Sequence, residues 1–223
     1  MKKILSFTLY KGVNTPSVYF YGVMCNIELA QIIYPGWICR VYYGQSVPED
    51  IIQKISKYDN VELYPMNEDE VLSYRMWRFL PIDDDDVEVM LCRDADSRIS
   101  YREKKLVDIF LESDYLMHSI RDNLNHPDVM AGMWGLKKND RINMTKLCLD
   151  FKKTIGPHTD YGYNSDQDFL RNIIKPIFED TMLTHCSYYL NNMPIEPDIN
   201  GYFVGQTFIF GDNNGLPLNH IFF

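Results

Sequence analysis

Short apolar runs alternate with amphipathic stretches through the first half of the chain. Ile4-Leu5-Ser6-Phe7-Thr8-Leu9-Tyr10 predicts a buried strand, followed by the turn-prone segment Lys11 to Pro16. Ser17 to Ile33 predicts a helix, ended by Pro35-Gly36, and Ile38 to Tyr43 a second strand. Ser46-Val47-Pro48-Glu49 then opens a helix with capping-box chemistry, and Val61 to Tyr64 forms a third strand. The next helix is expected to start at Asn67, with Glu68, Asp69 and Glu70 at the positive end of its dipole. Leu72, Met76, Phe79 and Leu80 form its apolar stripe, while Arg75 and Arg78, three residues apart, share one face. Val87 to Cys92 predicts a buried strand, Ser100 with Glu103 a capped helix start, and Tyr115 to His118 another strand.

This alternation predicts an α/β fold in which helices flank a mixed, mostly parallel central sheet. The second half is less regular. Asp128 to Gly135 leads to a helix over Thr145 to Lys153, a Gly- and Tyr-rich loop, a helix from Ser165 towards Ile174, and Gly- and Asn-rich turns. No linker, repeat or low-complexity stretch divides the chain, so residues 1–223 are expected to form one domain.

Composition narrows the function classes. A formal charge of -9 and the absence of a basic stripe argue against a nucleic-acid partner. An anionic ligand would therefore need a local Arg, Lys or metal cluster. Cys25, Cys39, Cys92, Cys148 and Cys186 are odd in number and widely spaced, which predicts neither a zinc site nor a disulfide framework and suits a reducing compartment. No signal peptide and no apolar span of membrane length is apparent, so a soluble, cytoplasmic protein is expected.

The strongest chemical signal follows the strand Val87 to Cys92, where Arg93-Asp94-Ala95-Asp96-Ser97-Arg98 brings two carboxylates to its carboxyl end. In open α/β sheets that edge is where ligands bind. On an extended backbone Asp94 and Asp96 point the same way, and a hard divalent cation relieves their repulsion and can hold a diphosphate. A solvated acidic turn would need no cation. Arg75 and Arg78 suit phosphate oxygens, or alternatively surface ion pairs with the acidic run Asp83 to Asp86, itself read as a solvated loop. Ala131, Gly132 and Gly135 allow close ligand approach or simply a tight turn, with Asp128 and Trp134 as further pieces of a sugar subsite. Ser165 with Asp168 forms a capping box, leaving Asp166 and Gln167 exposed at the helix start. His185 ends a short apolar run, as either a core histidine or a third metal ligand.

Ser73-Tyr74-Arg75-Met76-Trp77-Arg78-Phe79-Leu80-Pro81 and the following Arg93-Asp94-Ala95-Asp96 resemble the core of the GT-A nucleotide-sugar glycosyltransferases. The likeness is nearest the retaining branch that includes lipopolysaccharide galactosyltransferases and glycogenin. Val129 to Met133 is similar to that branch's Asn-(Ala/Ser)-Gly segment, and Asp166 to Leu170 to its Asp-Gln-Asp-x-Leu-Asn element. Ala131 to Gly135 and Phe203-Val204-Gly205-Gln206 resemble segments of small bacterial and viral glycosyltransferases. Arg93 stands where the branch has an apolar residue, and Cys186-Ser187-Tyr188 stand in place of its C-terminal motif.

The resemblance implies a single Rossmann-like GT-A domain that transfers a sugar from a nucleoside-diphosphate sugar, with UDP-sugars favoured, to a glycan or other hydroxyl acceptor. Retention is expected over inversion, and the nucleotide-binding half would run over about residues 1–98 and the sugar- and acceptor-binding half over about 99–223. Asp94, Asp96 and His185 would hold Mn2+ or Mg2+. Thr8, Tyr10, Arg75, Arg78, Asp94, Ala131 and Gly132 would meet the donor. Asp166 and Gln167 would lie at the reacting face, with Asp128 or Asp166 as general base in an inverting reaction. A sugar-phosphate nucleotidyltransferase is the competing enzyme class, disfavoured because no Gly-rich, Lys-bearing loop follows the first strand. A non-catalytic nucleotide-sugar-binding module is the competing non-enzyme class. The oligomeric state has no signature.

Overall fold

The computed structural model describes residues 1–10, 18–68, 74–126, 128–155, 165–189, 192–198 and 201–208. Seven strands form one sheet: β1 (Lys2–Leu9), β2 (Ile38–Gly44), β3 (Val61–Met66), β4 (Val87–Arg93), β5 (Met117–Arg121), β6 (Met133–Lys137) and β7 (Met182–Cys186). Their order is β3-β2-β1-β4-β6-β5-β7. Neighbours are parallel except at β6, which runs antiparallel to both β4 and β5. The α/β reading with a mixed, mostly parallel sheet therefore holds. The predicted strand from Tyr115 begins instead at Met117.

Both faces of the sheet are covered, which is why β1 and β4 read as near-continuous apolar runs. On one face Leu5, Phe7 and Leu9 meet α1 (Val18–Ile33), α2 (Glu49–Ile55) and α3 (Tyr101–Glu112) through Val23, Ile27, Ile55 and Phe110. On the other, Ile4, Met90 and Trp134 meet a 3-10 segment (Tyr74–Asp83), α4 (Met144–Ile155) and the helix begun by α5 (Ser165–Phe169) through Trp77, Phe79, Phe151 and Phe169. A π-helical stretch, Leu170–Ile174, joins α5 to α6 (Lys175–Phe178).

Several local expectations change. The segment carrying Arg75 and Arg78 is 3-10 rather than α-helical and contains Pro81, whose missing N–H cannot serve an α-helical ladder. Ser46 does not cap α2, which begins after Pro48 without a side-chain cap; its hydroxyl donates to Glu68 instead. Glu68 thereby braces the β2 exit. The Asp83 to Asp86 run is not merely solvated. Asp83 accepts from the Met144 and Thr145 N–H groups, both at 2.7 Å, and so caps α4. Asp84 pairs with buried Arg40, and Asp86 with Lys2 at 2.8 Å. The Ser100 cap of α3 is as expected, accepting from Glu103 N–H at 3.2 Å. The turn Lys11 to Pro16, the helix start at Ser17, Asp69, Glu70 and Leu72, the Gly- and Tyr-rich loop, and the closing turns lie outside the described residues.

Candidate active site

The site gathers where β4 ends and β6 begins. Because β6 is reversed, its first residues meet the last residues of β4, with Arg93 opposite Met133. That register lays the Ala131-Gly132 segment beside the Asp94 side chain. A Cβ on Gly132 would overlap Asp94 Oδ2, so any other residue there would push the Asp94 carboxylate out of its place on Arg78. Ala131 is buried against the apolar cluster around Trp77 and Phe79, which fixes the segment from behind.

Arg78 reaches the same point from the 3-10 segment. Its Nη1 donates to Asp94 Oδ1 and, at 3.2 Å, to the Arg93 carbonyl. Its Nη2 donates to Asp166 Oδ2 at 3.1 Å. One guanidinium therefore spans both carboxylates. Asp166 is 7% exposed and Arg78 8%, whereas the Asp94 side chain is 45% exposed and opens to solvent. Burial alone would weaken the Arg78 cation, but the charges of Asp94 and Asp166 outweigh it and hold the group protonated.

The acidic turn is held firmly. The buried Asn26 amide of α1 donates to the Ser97 carbonyl at 2.9 Å and accepts from Ile99 N–H at 3.1 Å. Gly22, one turn earlier, sits where any Cβ would strike the Ala95 carbonyl. Asp96 accepts from the Thr207 hydroxyl at 3.4 Å. Burial, and then the charge of Asp94, push the Asp96 carboxyl above the ordinary carboxylate range. That repulsion is the kind a divalent cation relieves.

The structure brings Asp94, Asp96, Arg78, Gly132, Asp166 and Gln167 together. Gln167 lies beside Met130, its amide 3.8 Å from the Met130 sulfur. Tyr10 and Arg75 form a neighbouring pair, Arg75 Nε donating to the Tyr10 hydroxyl at 3.1 Å. Tyr10 continues into an aromatic ladder with Tyr74 at 5.0 Å, and Tyr74 stands 5.2 Å from Trp77. Thr8, at the end of β1, buries a hydroxyl with no hydrogen-bond partner among the described residues, an unmet polar group at the ligand-binding edge.

Four expectations are corrected. Asp166 is not exposed at its helix start but buried on Arg78. Arg78 does not present its guanidinium to a ligand, because Asp94, Asp166 and a carbonyl occupy it. Asp128 is tied to Lys175 at 2.9 Å and Arg171 at 3.3 Å. Burial would raise its carboxyl, but the Lys175 hydrogen bond and its neighbours hold it below the ordinary range, so it is no free base. His185 is fully buried in β7 with its Nδ1 2.8 Å from His118 Nε2. Among the described residues no group of three His, Cys, Asp or Glu could hold a metal ion, so His185 does not complete a shell with Asp94 and Asp96.

Structures of known proteins share this architecture. A glycosyltransferase involved in glycosylating the major capsid of PBCV-1 superposes with a TM-score of 0.50 at 16% identity, over 84% of this chain and 83% of that one. The galactosyltransferase LgtC, solved with donor and acceptor sugar analogs, gives 0.52 at 12% identity, over 83% and 73%. The fold is that of the GT-A glycosyltransferases. A structure described as a glucose-1-phosphate thymidylyltransferase from Bacillus anthracis superposes to a similar degree, at a TM-score of 0.50 and 9% identity over 82% and 85%. No protein family and no curated protein matches the sequence.

Sequence reasoning missed Asn26, Gly22 and the pair Arg93–Glu103 behind the acidic turn. A glycine inside a helix costs up to about 1 kcal/mol relative to alanine, so Gly22 was a readable hint of close approach. Arg93, a charge at the end of an apolar strand, was another. Among the described residues no helix is long and apolar enough to cross a membrane, and all five cysteines are free.

Proposed function

We propose that this chain is a metal-dependent glycosyltransferase, moving a sugar from a nucleoside-diphosphate sugar, UDP-sugars favoured, to a glycan or other hydroxyl acceptor. One observation carries this reading: at the ligand-binding edge of a GT-A sheet, Arg78 holds Asp94 and Asp166 on one guanidinium while Gly132 lies against Asp94 and Asp96 stands beside it. Asp94 and Asp96 fit Mn2+ or Mg2+, with the remaining ligands drawn from substrate oxygens and water. The cation would act there as a Lewis acid on the departing diphosphate.

The chain's own residues supply the rest. Tyr10 and its ladder offer a stacking face to the base, and Arg75 stands beside Tyr10 to meet anionic oxygens. Thr8 offers its unpartnered hydroxyl to the donor. Asp94 and the Ala131-Gly132 backbone read the sugar, and Arg78 fixes Asp94 and Asp166 so that neither reorients as charge develops. Gln167 and Asp166 face the reacting centre. Asp128 and Asp166, the two candidate bases for inversion, are both engaged by cations, which supports retention. On this reading the first half of the domain, to about residue 98, binds the nucleotide, and the rest binds the sugar and acceptor. The free cysteines suit a reducing, cytoplasmic setting.

A thermal-shift screen of UDP-, GDP- and TDP-sugars with and without Mn2+ tests the reading. Ligand at a hundred times its Kd stabilises the native state by about 2.7 kcal/mol, so the right donor raises Tm only with the metal present. Asp96→Ala abolishes that shift and the slow hydrolysis of the donor without unfolding the protein. The idea fails if no nucleotide sugar binds or is hydrolysed. Pyrophosphate release from a nucleoside triphosphate and a sugar phosphate would instead identify a nucleotidyltransferase.

A further inference from the structure

Asp122 follows β5 at the same sheet edge as the acidic turn and is almost wholly buried, yet the proposed reaction gives it no part. Its carboxylate accepts from Arg102 Nη1 of α3, from the Ser187 hydroxyl after β7, and from the Val204 N–H at 2.9 Å. Three separate elements thus converge on one carboxylate. Val204 belongs to a short strap, residues 201–208. It is buried in a small apolar cluster with Leu106, Ile120, Met133 and Ile195. Gly205 turns the strap at a φ of 88°, where a side chain would meet Met133.

Beyond that turn the strap runs back along the acidic turn. Thr207 forms an antiparallel bridge with Ser97. Phe208 N–H donates to the Asp96 carbonyl at 2.9 Å, and the Thr207 hydroxyl reaches Asp96 Oδ2 at 3.4 Å. Both the backbone and the carboxylate of Asp96 are therefore held from the strap, while Asn26 holds the turn from α1.

We infer that Asp122 is a positioning residue for Asp96: it seats the strap whose Thr207 and Phe208 orient the carboxylate that takes the cation. This rests on the metal-dependent reading above. The physical cause is simple. Without the Asp122 carboxylate the Val204 N–H is buried without an acceptor, and the strap loses the hydrogen bond that seats its turn, which leaves Val204's small cluster and the contacts with the acidic turn to hold it. Once it lifts, the Asp96 carboxylate loses its orienting partners, and partners of this kind are commonly worth 10- to 100-fold in metal affinity.

Direct titration with Mn2+ alone, following free Mn2+ by electron paramagnetic resonance, tests this on the wild type, Asp96→Ala, Asp122→Ala and Thr207→Val. Asp96→Ala binds none. Asp122→Ala, which removes the acceptor of the Val204 N–H, binds about tenfold more weakly at unchanged stoichiometry, and Thr207→Val shows a smaller loss in the same direction. A merely structural role would lower the stoichiometry, as part of the sample unfolds, and leave the affinity of the folded fraction alone. Thr207→Val leaves Asp122 and its buried ion pair untouched, so it decides the question if Asp122→Ala does not fold. Wild-type affinity in both variants overturns the inference while the metal reading stands. If the wild type binds no Mn2+, the metal reading fails and this inference falls with it.

Discussion

Two arginines approach the end of β4 from opposite faces of the sheet, and they do different work. Arg93 points beneath α3, where its Nε meets Glu103 at 2.7 Å with both side chains 1% exposed. Its Nη1 donates to the Cys92 and Trp134 carbonyls at 2.7 and 3.1 Å, and the Tyr34 hydroxyl closes the cluster on Glu103 at 3.0 Å. Arg78 arrives from the other face, donates to the carbonyl of that same Arg93, and holds Asp94 and Asp166. One cluster is sealed and the other opens through the half-exposed Asp94. Similar ion-pair chemistry thus serves to join layers where it is closed and to present a carboxylate where it is not.

Breaking the sealed side has the largest effect. Arg93→Met strands the Glu103 charge in the core, and the expected loss is about 3–5 kcal/mol in denaturant unfolding. The triple change Arg93→Met, Glu103→Leu, Tyr34→Phe removes the polar side chains of the cluster together and recovers most of that loss. No recovery would mean that the pair is bound into a wider network than its contacts suggest. On the open side, Arg78→Lys keeps the charge but not the span, so donor hydrolysis falls about 10- to 100-fold. That is a barrier change of about 1.4–2.7 kcal/mol, with a smaller drop in Tm than Arg93→Met gives. Equal losses of stability in the two variants would erase the distinction.

A further difference is acid sensitivity on the sealed side. His118 and His185 hydrogen-bond to each other there, and Phe110 stacks on His118 at 4.8 Å. Burial, then His185, Arg93 and Lys137, holds His118 well below its usual value, and burial lowers His185 to about 4. Both pKa values are depressed in the folded state, so unfolding takes up protons in acid. Their stabilisation is complete above about pH 6.5 and is lost as pH falls towards 4, by up to about 1.4 kcal/mol per unit for each group. Chemical denaturation at pH 7, 6 and 5 measures the slope, and His118→Phe/His185→Leu flattens it.

The first five strands along the chain, the Asp94–Asp96 pair at the end of β4 and the close approach at Gly132 are legible in sequence, because each leaves a local mark, whereas the sheet order and the reversal of β6 are not. Apolar runs mark buried strands, acids at a strand end mark the sheet's edge, and a glycine among apolar residues marks contact. The 3-10 segment was read as α-helix because its apolar spacing fits both, although Pro81 was a warning. Asp166 was read as exposed because its partner Arg78 lies 88 residues away. Asn26, paired to Ser97 across 71 residues, and Asp122, paired to Val204 across 82, are invisible for the same reason. A polar side chain satisfied by a distant partner imposes no periodicity on its own neighbourhood.

The reversed strand β6 also fixes when a binding-competent protein can exist. The parallel strands β1 to β4 are complete at Arg93, so a growing chain displays Asp94 and Asp96 well before Gly132 and Asp166 have been made. The acid pair then waits for a strand that must return past α3 and β5 and slot between neighbours already placed, a long-range closure of the slow kind. Ligand competence is therefore a late event in synthesis, and a fragment ending before Met133 would hold five of the seven strands but lack β6 and Asp166, which complete the site.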